Sequence, residues 1–202
     1  MRVMVIGATG IIGSAVSTLL SVRHEVVRVG HRSGDFHVDL SNSESLARLF
    51  ESAGAVDAVV SAAGVAKFAA FDELQDADYH MGLANKLMGQ VNLVRIGRRF
   101  VKDQGSFTLT SGVLSHEPMK GSASISMVNA GIEGFVRAAA LELPRGLRLN
   151  AVSPPWVTDT LKKLGMDPAI GMPADTIARA YAASVEGDLT GQILDPRKPA
   201  GN

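Results

Sequence analysis

The chain has 202 residues, of which 46% are hydrophobic, so it can bury a full core, and residues 1–202 are expected to form a single domain. Twenty Lys and Arg balance twenty Asp and Glu, so no general attraction to nucleic acid or to an anionic membrane is expected. The absence of cysteine excludes disulfides, thiolate metal sites and cysteine nucleophiles.

The first apolar run, "RVMVIG", ends at Gly7, which is too early for the core of a signal peptide. No later run approaches the length of a membrane span. The expected location is therefore the cytoplasm, and any partner must be recognised locally.

Short apolar runs alternate with segments of helical periodicity along the chain. The predicted strands are "RVMVIG", "HEVVRVG", "FHVDL", "VDAVVSAAG", "GSFTLTS", "LRLNAVS" and "GQILD". The predicted helices are "IIGSAVSTLLSV", "SESLARLFESAG" with Ser43 as its cap, residues 76–101, residues 123–143 and "ADTIARAYAAS". This alternation predicts an α/β fold with a doubly wound, Rossmann-like parallel sheet of seven strands and helices on both faces. Ligands of such sheets bind beyond the carboxyl ends of the strands.

The segment "GATGIIG" places Gly7, Gly10 and Gly13 between the first strand and its helix. Glycine permits a tight turn and a close approach of the backbone to a pyrophosphate, and the helix N-terminus offers free amides. The spacing is G-x-x-G-x-x-G, and the strand before it and the helix after it strengthen the prediction of a dinucleotide site.

The second strand ends in "VGHRSGD", where a nucleotide fold meets the adenosine ribose. An acidic residue there favours NAD, whereas a guanidinium favours the additional phosphate of NADP. His31 and Arg32 occupy this position, so NADP is the predicted cofactor and NAD the less favoured one. The other interpretation is a solvated basic turn.

These pieces occur in the order typical of the short-chain dehydrogenase/reductase family, which the chain resembles over nearly its whole length. Asp39 in "VDL" matches the acid that contacts adenine, and "SAAG" takes the place of the usual N-N-A-G. Asn85 matches the active-site asparagine and Ser111 in "TLTSG" the catalytic serine, while "NAVSPPWVTDT" is similar to the N-x-V-S-P-G segment near the nicotinamide.

The chain departs from the family where proton transfer takes place. Aligning "AGIEGF" puts Ile125 at the position of the catalytic tyrosine and Asn129 at that of the lysine, and no Tyr or Lys lies between Ser122 and Leu143. Isoleucine has no proton to give, whereas asparagine can still bond a ribose without charge. His116 is the alternative proton donor if it is not simply an exposed loop residue, and Ser111 is a candidate hydrogen-bond donor to a substrate oxygen.

Further departures concern the edges of the site. The stretch between Arg32 and Asp39 is too short for the family's crossover helix, so that helix is predicted to be shortened or missing. Pro154 and Pro155 replace the usual P-G, and either Thr158 or Thr160 takes the place of the phosphate-contacting threonine. Lys86 follows Asn85 and is a candidate cation near the crevice, although the next side chain of a helix more often points elsewhere.

The resemblance assigns catalytic roles to Ser111, Asn85, Asn129 and His116 and no residue to a metal. It assigns the cofactor to Gly7, Thr9, Gly10, Ile11, Ile12, Gly13, His31, Arg32, Asp39, Leu40, Ala62, Ala63, Gly64, Asn129, Pro154, Val157 and Thr158.

Three functions remain open at this point. The first is an NADP-dependent oxidoreductase for a carbonyl or alcohol substrate with a non-standard proton donor. The second is a nucleotide-binding sensor or scaffold that has lost the chemistry, and the third is a cofactor-assisted isomerase or lyase. The resemblance also implies a homodimer or homotetramer formed through the helices at 76–101 and 123–143.

Overall fold

The computed structural model describes residues 1–198 and contains a seven-stranded parallel sheet in the order β3-β2-β1-β4-β5-β6-β7. The strands are β1 (Arg2–Ile6), β2 (Glu25–Gly30), β3 (Phe36–His37), β4 (Val56–Ser61), β5 (Val101–Thr110), β6 (Arg148–Val152) and β7 (Ile193–Leu194). The strand order changes direction at β1 and β4, which opens a crevice beyond their carboxyl ends. The predicted doubly wound parallel sheet of seven strands is confirmed.

Seven α-helices connect and cover these strands within residues 1–198. They are α1 (Ile11–Ser21), α2 (Ser43–Ala53), α3 (Asp76–Gly82), α4 (Met88–Gly97), α5 (Ala123–Ala139), α6 (Thr158–Lys163) and α7 (Ala174–Glu186). A π-helical turn, Leu83–Leu87, joins α3 to α4. The helix expected over 76–101 is therefore interrupted and ends at Gly97, because Val101 already belongs to β5. The helix expected over 123–143 ends at Ala139, five residues before Pro144.

Two apolar layers hold the helices against the sheet. On one face, Phe50, Leu93, Phe107 and Ile132 are among the fully buried side chains under α2, α4 and α5. On the other face, α1 and α7 pack against the sheet around Tyr181, whose hydroxyl lies 2.6 Å from the Thr110 Oγ1. Burial raises the pKa of the Tyr181 phenol, so this hydroxyl stays neutral and structural. Within residues 1–198, no helix is both long and apolar enough to cross a membrane.

The connection between β2 and β3 is a loop of five residues, and no helix covers that edge. The loop folds back so that Val29 pairs with Phe36 in parallel register. The Asp35 amide donates to the Arg28 carbonyl oxygen at 2.7 Å, and the Asp35 carboxylate accepts from the Arg28 amide at 2.8 Å. The predicted loss of the crossover helix is confirmed, and residues 31–35 of the loop are exposed.

Helix α2 is capped by Asn42, one residue earlier than expected. The Asn42 Oδ1 accepts hydrogen bonds from the amides of Glu44 and Ser45, at 2.9 Å and 3.1 Å, whereas Ser43 is already the first helical residue. We expect Asn42→Ala to lower the free energy of unfolding by about 1 kcal/mol, because two amides lose their acceptor. Ser43→Ala is the matched control, expected to stay within about 0.5 kcal/mol of the wild type in urea denaturation. A larger loss for Ser43→Ala would contradict this assignment of the cap.

Candidate active site

Two adjoining chambers occupy the crevice beyond the carboxyl ends of β1, β4 and β5. The glycine-turn chamber has a volume of about 440 Å³ and is lined by Ile6, Gly7, Thr9, Gly10, Gly30, His31, Val38, Asp39, Leu40, Ala62, Ala63, Gly64, Val65 and Asn85. The β5 chamber has a volume of about 250 Å³ and is lined by Ile12, Ala62, Ala63, Gly64, Lys86, Thr110, Ser111, Gly112, Val113, Leu114, Ile125, Asn129, Pro154, Pro155, Trp156, Val157 and Thr160. They share the segment after β4, so one extended molecule can occupy both. Of the residues predicted to form the site, five line neither chamber: Ile11, Gly13, Arg32, His116 and Thr158.

The glycine turn leaves no space for side chains at two positions. A Cβ on Gly13 would lie 2.0 Å from the Gly7 carbonyl oxygen, and Gly7 has a φ of 81° and lies against the Ala62 backbone. Helix α1 then begins at Ile11 without any side-chain cap. Its first amides are therefore free to bond an anionic group such as a pyrophosphate.

The open edge of the glycine-turn chamber carries two ionisable side chains. His31 lies with its Nδ1 at 3.4 Å from the Val38 carbonyl oxygen. Asp39 accepts from the hydroxyl and the amide of Ser41, at 2.6 Å and 2.9 Å, and these hydrogen bonds lower the pKa of the Asp39 carboxyl. The carboxylate is thereby held ionised and oriented at the chamber wall. Arg32 is exposed in the five-residue loop just outside the chamber.

The π turn places two consecutive side chains in different chambers. Asn85 lies in the glycine-turn chamber, where its Oδ1 accepts from the Val65 amide at 2.9 Å. Lys86 lies in the β5 chamber, and its Nζ donates to the Ser111 carbonyl oxygen at 3.2 Å. Of the two orientations left open for Lys86, the structure has the one that faces the crevice, because the π turn brings its stem directly under Gly64, where an added Cβ would lie 2.8 Å from the Lys86 Cγ.

Lys86 is half-buried, and it is the sole charged side chain among the described residues that line the β5 chamber. Burial lowers its pKa to about 8, since the ammonium form loses part of its hydration there. The group can therefore exchange a proton close to neutral pH. Sequence reasoning noticed this lysine but did not assign it to the site.

Helix α5 presents Ile125 and Asn129 to the β5 chamber, as their four-residue spacing predicted. The Asn129 side chain is 1% exposed and its Nδ2 donates to the Gly112 carbonyl oxygen at 3.3 Å. Its Oδ1 is buried and has no hydrogen-bond partner within residues 1–198. A buried acceptor without a donor is costly, so this atom is suited to a ligand hydroxyl.

Behind the β5 chamber, Glu133 is 1% exposed, and its carboxylate is contacted by several polar side chains. Its partners are Ser111, Ser115, Ser153, His116 and Arg137. The Ser111 Oγ donates to Glu133 at 3.1 Å, and the His116 Nε2 lies 2.5 Å from the same carboxylate. Ser111 thus reaches the chamber wall with its hydroxyl engaged by Glu133, and His116 lies outside the chamber. Their catalytic roles stay predictions, and each requires a rearrangement of this cluster.

The loop after β6 forms one wall of the β5 chamber. Pro154, Pro155 and Trp156 line it, and the Trp156 ring packs edge-on against Phe68 with the ring centres 5.7 Å apart. Thr160 lines the chamber, whereas the amide of Thr158 is bonded to the Met172 carbonyl oxygen at 3.0 Å. Of the two threonines left open by the sequence, Thr160 has the position that suits a ligand contact.

These features fit a dinucleotide. The crowded glycines let a backbone approach, α1 offers free amides, and the unpaired Asn129 Oδ1 lies at the other end of the connected chambers. No group of three or more metal-ligating side chains occurs within residues 1–198.

Sequence comparison matches most of this chain to known proteins. Residues 11–182 match the family model described as enoyl-(acyl carrier protein) reductase. A cis-4-hydroxycyclohexanecarboxylate dehydrogenase from Sinomonas cyclohexanicum is 28% identical, with 91% of this chain and 74% of the relative covered. Carbonyl reductase family member 4 from Danio rerio is also 28% identical, with 95% and 94% covered.

Solved structures agree with the fold. A Listeria innocua protein is 40% identical and superposes with a TM-score of 0.93 over 96% of this chain and 98% of its own. A small-chain dehydrogenase crystallised in complex with NADPH is 27% identical and gives a TM-score of 0.85, with 96% and 95% covered.

Proposed function

Because the chain belongs to the short-chain dehydrogenase/reductase family, we propose that it is an NADP(H)-dependent oxidoreductase that interconverts a small carbonyl compound and its alcohol. The observation that carries this proposal is the pair of connected chambers. One is built like a nucleotide cradle, and the other contains a single ionisable group beside an apolar wall. The first offers a place for the cofactor and the second a place for a substrate.

The proposed binding mode uses the backbone at one end and polar side chains at the other. The free amides at the start of α1 bond the pyrophosphate, and Asp39 and Asn85 border the adenosine end. Asn129 accepts a ribose hydroxyl with the Oδ1 that has no partner within residues 1–198. A nicotinamide bound in this way would supply or accept the hydride.

The substrate proposed for the β5 chamber is small and largely apolar. Ile125, Leu114, Val113 and Trp156 exclude water from the wall opposite the cradle. Ile125 replaces a polar proton donor with a hydrophobic surface, which favours the apolar part of a substrate near this helix. The narrow volume of about 250 Å³ also has to accommodate the nicotinamide end of the cofactor.

A nucleotide-binding sensor or scaffold is the second candidate. It is favoured by Ile125 and Asn129 at the positions of the family's catalytic pair, and by the Ser111 hydroxyl being engaged with Glu133. A sensor binds NADPH without consuming it. Loss of NADPH absorbance in the presence of small aldehydes and ketones would therefore decide for the oxidoreductase, and stable absorbance with every substrate would decide for the sensor.

The preference for NADPH is assigned to His31 and Arg32 in the five-residue loop. We expect Arg32→Ala to weaken NADPH binding by about 10- to 100-fold, since one charge-assisted contact to the 2′-phosphate contributes roughly 1.5–3 kcal/mol. NADH affinity should not change, because NADH has no such phosphate. Isothermal titration calorimetry of the nucleotide-free protein with both cofactors tests this.

Arg23→Ala is the matched control for that titration. Arg23 lies beyond the C-terminus of α1, at the amino end of β2 and so at the other end of that strand from Arg32, and it pairs with Glu186 at 2.7 Å. Its replacement should leave both affinities unchanged. An equal loss for NADPH and NADH in Arg32→Ala would contradict a phosphate contact, and no binding of either cofactor to the wild type would end the oxidoreductase proposal.

The proposed assembly is a homodimer or homotetramer. Met81, Met88 and Met127 are exposed on α3, α4 and α5, the helices that the family resemblance assigns to subunit contacts. Their flexible apolar side chains would be buried by a second copy packed against the same helices.

A further inference from the structure

Two helices place an amine and an amide against consecutive carbonyl groups at the end of β5. The Lys86 Nζ donates to the carbonyl oxygen of Ser111, and the Asn129 Nδ2 donates to that of Gly112. Gly112 has no side chain to separate them, and a Cβ there would lie 2.8 Å from the Asn129 Nδ2. Lys86 on the π turn therefore lies on the carbonyl group next to the one that Asn129 bonds, and Asn129 is at the position of the family's lysine on α5.

The groups that face Lys86 from the neighbouring elements are uncharged. The Lys86 ammonium bonds the Ser111 carbonyl group, its stem lies under Gly64, the Gln90 amide bonds its backbone carbonyl group, and Gly112 and Asn129 line the same chamber. A charged cluster, Glu133 with His116 and Arg137, lies on the other side of the Ser111 hydroxyl. No carboxylate among the described residues stabilises the ammonium, which is why burial alone sets the direction of its pKa.

The other residues at the chamber are poor proton donors. Ile125 carries no exchangeable proton, and the Asn129 amide does not ionise in the accessible pH range. The Ser111 hydroxyl donates to Glu133, and the His116 ring lies outside the chamber. Lys86 is the one titratable group among the described residues of the chamber lining.

We propose that Lys86 is the catalytic proton donor and acceptor of this enzyme, an inference that rests on the proposed oxidoreductase function. In the reductive direction, a bound dihydronicotinamide would supply the hydride to the carbonyl carbon, and the Lys86 ammonium passes one proton to the carbonyl oxygen. The products are the alcohol, the oxidised cofactor and the neutral amine, which regains its proton from water. In the oxidative direction, the neutral amine accepts the alcohol proton as the hydride leaves carbon.

The pH dependence follows from the protonation state that each direction needs. Burial lowers the pKa of Lys86 to about 8, so the ammonium predominates below this pH and the amine above it. Carbonyl reduction should therefore slow as the pH rises through about 8, and alcohol oxidation should accelerate over the same range.

Two substitutions separate proton donation from charge alone. Lys86→Met keeps the length of the side chain and removes the proton, and Lys86→Arg keeps a charge that does not dissociate near neutral pH. For reduction of a panel of small aldehydes and ketones, we expect both variants to lose about 10²–10⁴-fold in kcat, the usual contribution of a general acid. NADPH affinity, measured separately by calorimetry, should change far less. Lys102→Met, at the amino end of β5, is the control and should keep the wild-type kcat.

A second readout does not depend on turnover. NMR titration of protein labelled at the lysine Cε, with the Lys86 signal identified by its absence from Lys86→Met, should give a midpoint near 8 for this residue and values near 10.4 for exposed lysines.

The outcomes separate the two proposals. A wild type that reduces a carbonyl while Lys86→Met keeps its kcat, or while Lys86→Arg restores it, overturns the assignment of Lys86 and leaves the oxidoreductase in place. An ordinary titration midpoint for Lys86 likewise overturns the assignment alone. A wild type that binds NADPH and reduces no carbonyl overturns the proposed function, and the role of Lys86 with it.

Discussion

Calorimetric titration of Gly13→Ala with NADPH is expected to give at least a 100-fold loss of affinity, about 2.7 kcal/mol. The added methyl group would lie 2.0 Å from the Gly7 carbonyl oxygen and 2.6 Å from its carbon, which are backbone atoms that cannot rotate away. Helix α1 must therefore move out from the turn, and its first amides move with it. The same overpacking should lower the free energy of unfolding by about 1–3 kcal/mol or more.

Gly134→Ala is the matched control, because it adds the same methyl group where no heavy atom lies within 4 Å. Gly134 is inside α5, so alanine there should raise stability by about 0.5–1 kcal/mol through its better helix propensity. NADPH affinity should be unchanged. If Gly13→Ala bound NADPH like Gly134→Ala, the start of α1 would not be the pyrophosphate site.

The sheet could be predicted from the sequence because most strands are apolar runs of the right length followed by a segment of helical periodicity. The ends of the helices were harder to predict from the sequence. No local sequence signal identifies Gly97 as the last residue of α4, because the apolar spacing continues towards Val101. Val101 belongs to β5 because it pairs with Val56 of β4. The cap of α2 was misplaced by one residue because Asn42 and Ser43 are both good capping residues, and the backbone conformation decides between them.

The site was predictable where backbone geometry restricts the residue type and less so where side-chain direction decides. Gly7 and Gly13 are recognisable because a Cβ cannot fit there. Asn85 and Lys86 are adjacent in sequence, and their division between two chambers depends on a π turn that has no sequence signature here. Gly112 and Trp156 were missed because neither carries ionisable chemistry.

Glu133 had a readable signal that the sequence argument did not use. It follows Ile132 and lies between the buried Val128 and Val136, so a carboxylate on that helix face has to be buried. Buried carboxylates require hydrogen-bond donors, which the serines after β5 and β6 provide. The direction of the Ser111 hydroxyl follows from this requirement.

We expect Glu133→Ala to lower the free energy of unfolding by about 1–3 kcal/mol in urea denaturation. The substitution removes the acceptor of the Ser153 hydroxyl and one of the two acceptors of Ser111 and Ser115, and it opens a cavity behind β5. Glu142→Ala, an exposed glutamate just beyond α5, is the control and should stay within about 0.5 kcal/mol of the wild type. A loss below about 1 kcal/mol for Glu133→Ala would mean that the cluster is hydrated and contributes little.

Glu133→Ala should also change the pKa of Lys86, the proposed proton donor. Glu133 fixes the Ser111 hydroxyl, and the Ser111 carbonyl group in turn accepts from the Lys86 Nζ at 3.2 Å. Loosening that strand end should give the Lys86 ammonium more water, so its pKa should rise from about 8 towards that of an exposed lysine. A shift in the NMR titration of Lys86 in Glu133→Ala, measured below its unfolding temperature and absent in Glu142→Ala, would connect the buried carboxylate to the chemistry of the chamber. An unchanged midpoint would mean that Glu133 stabilises the fold without tuning the lysine.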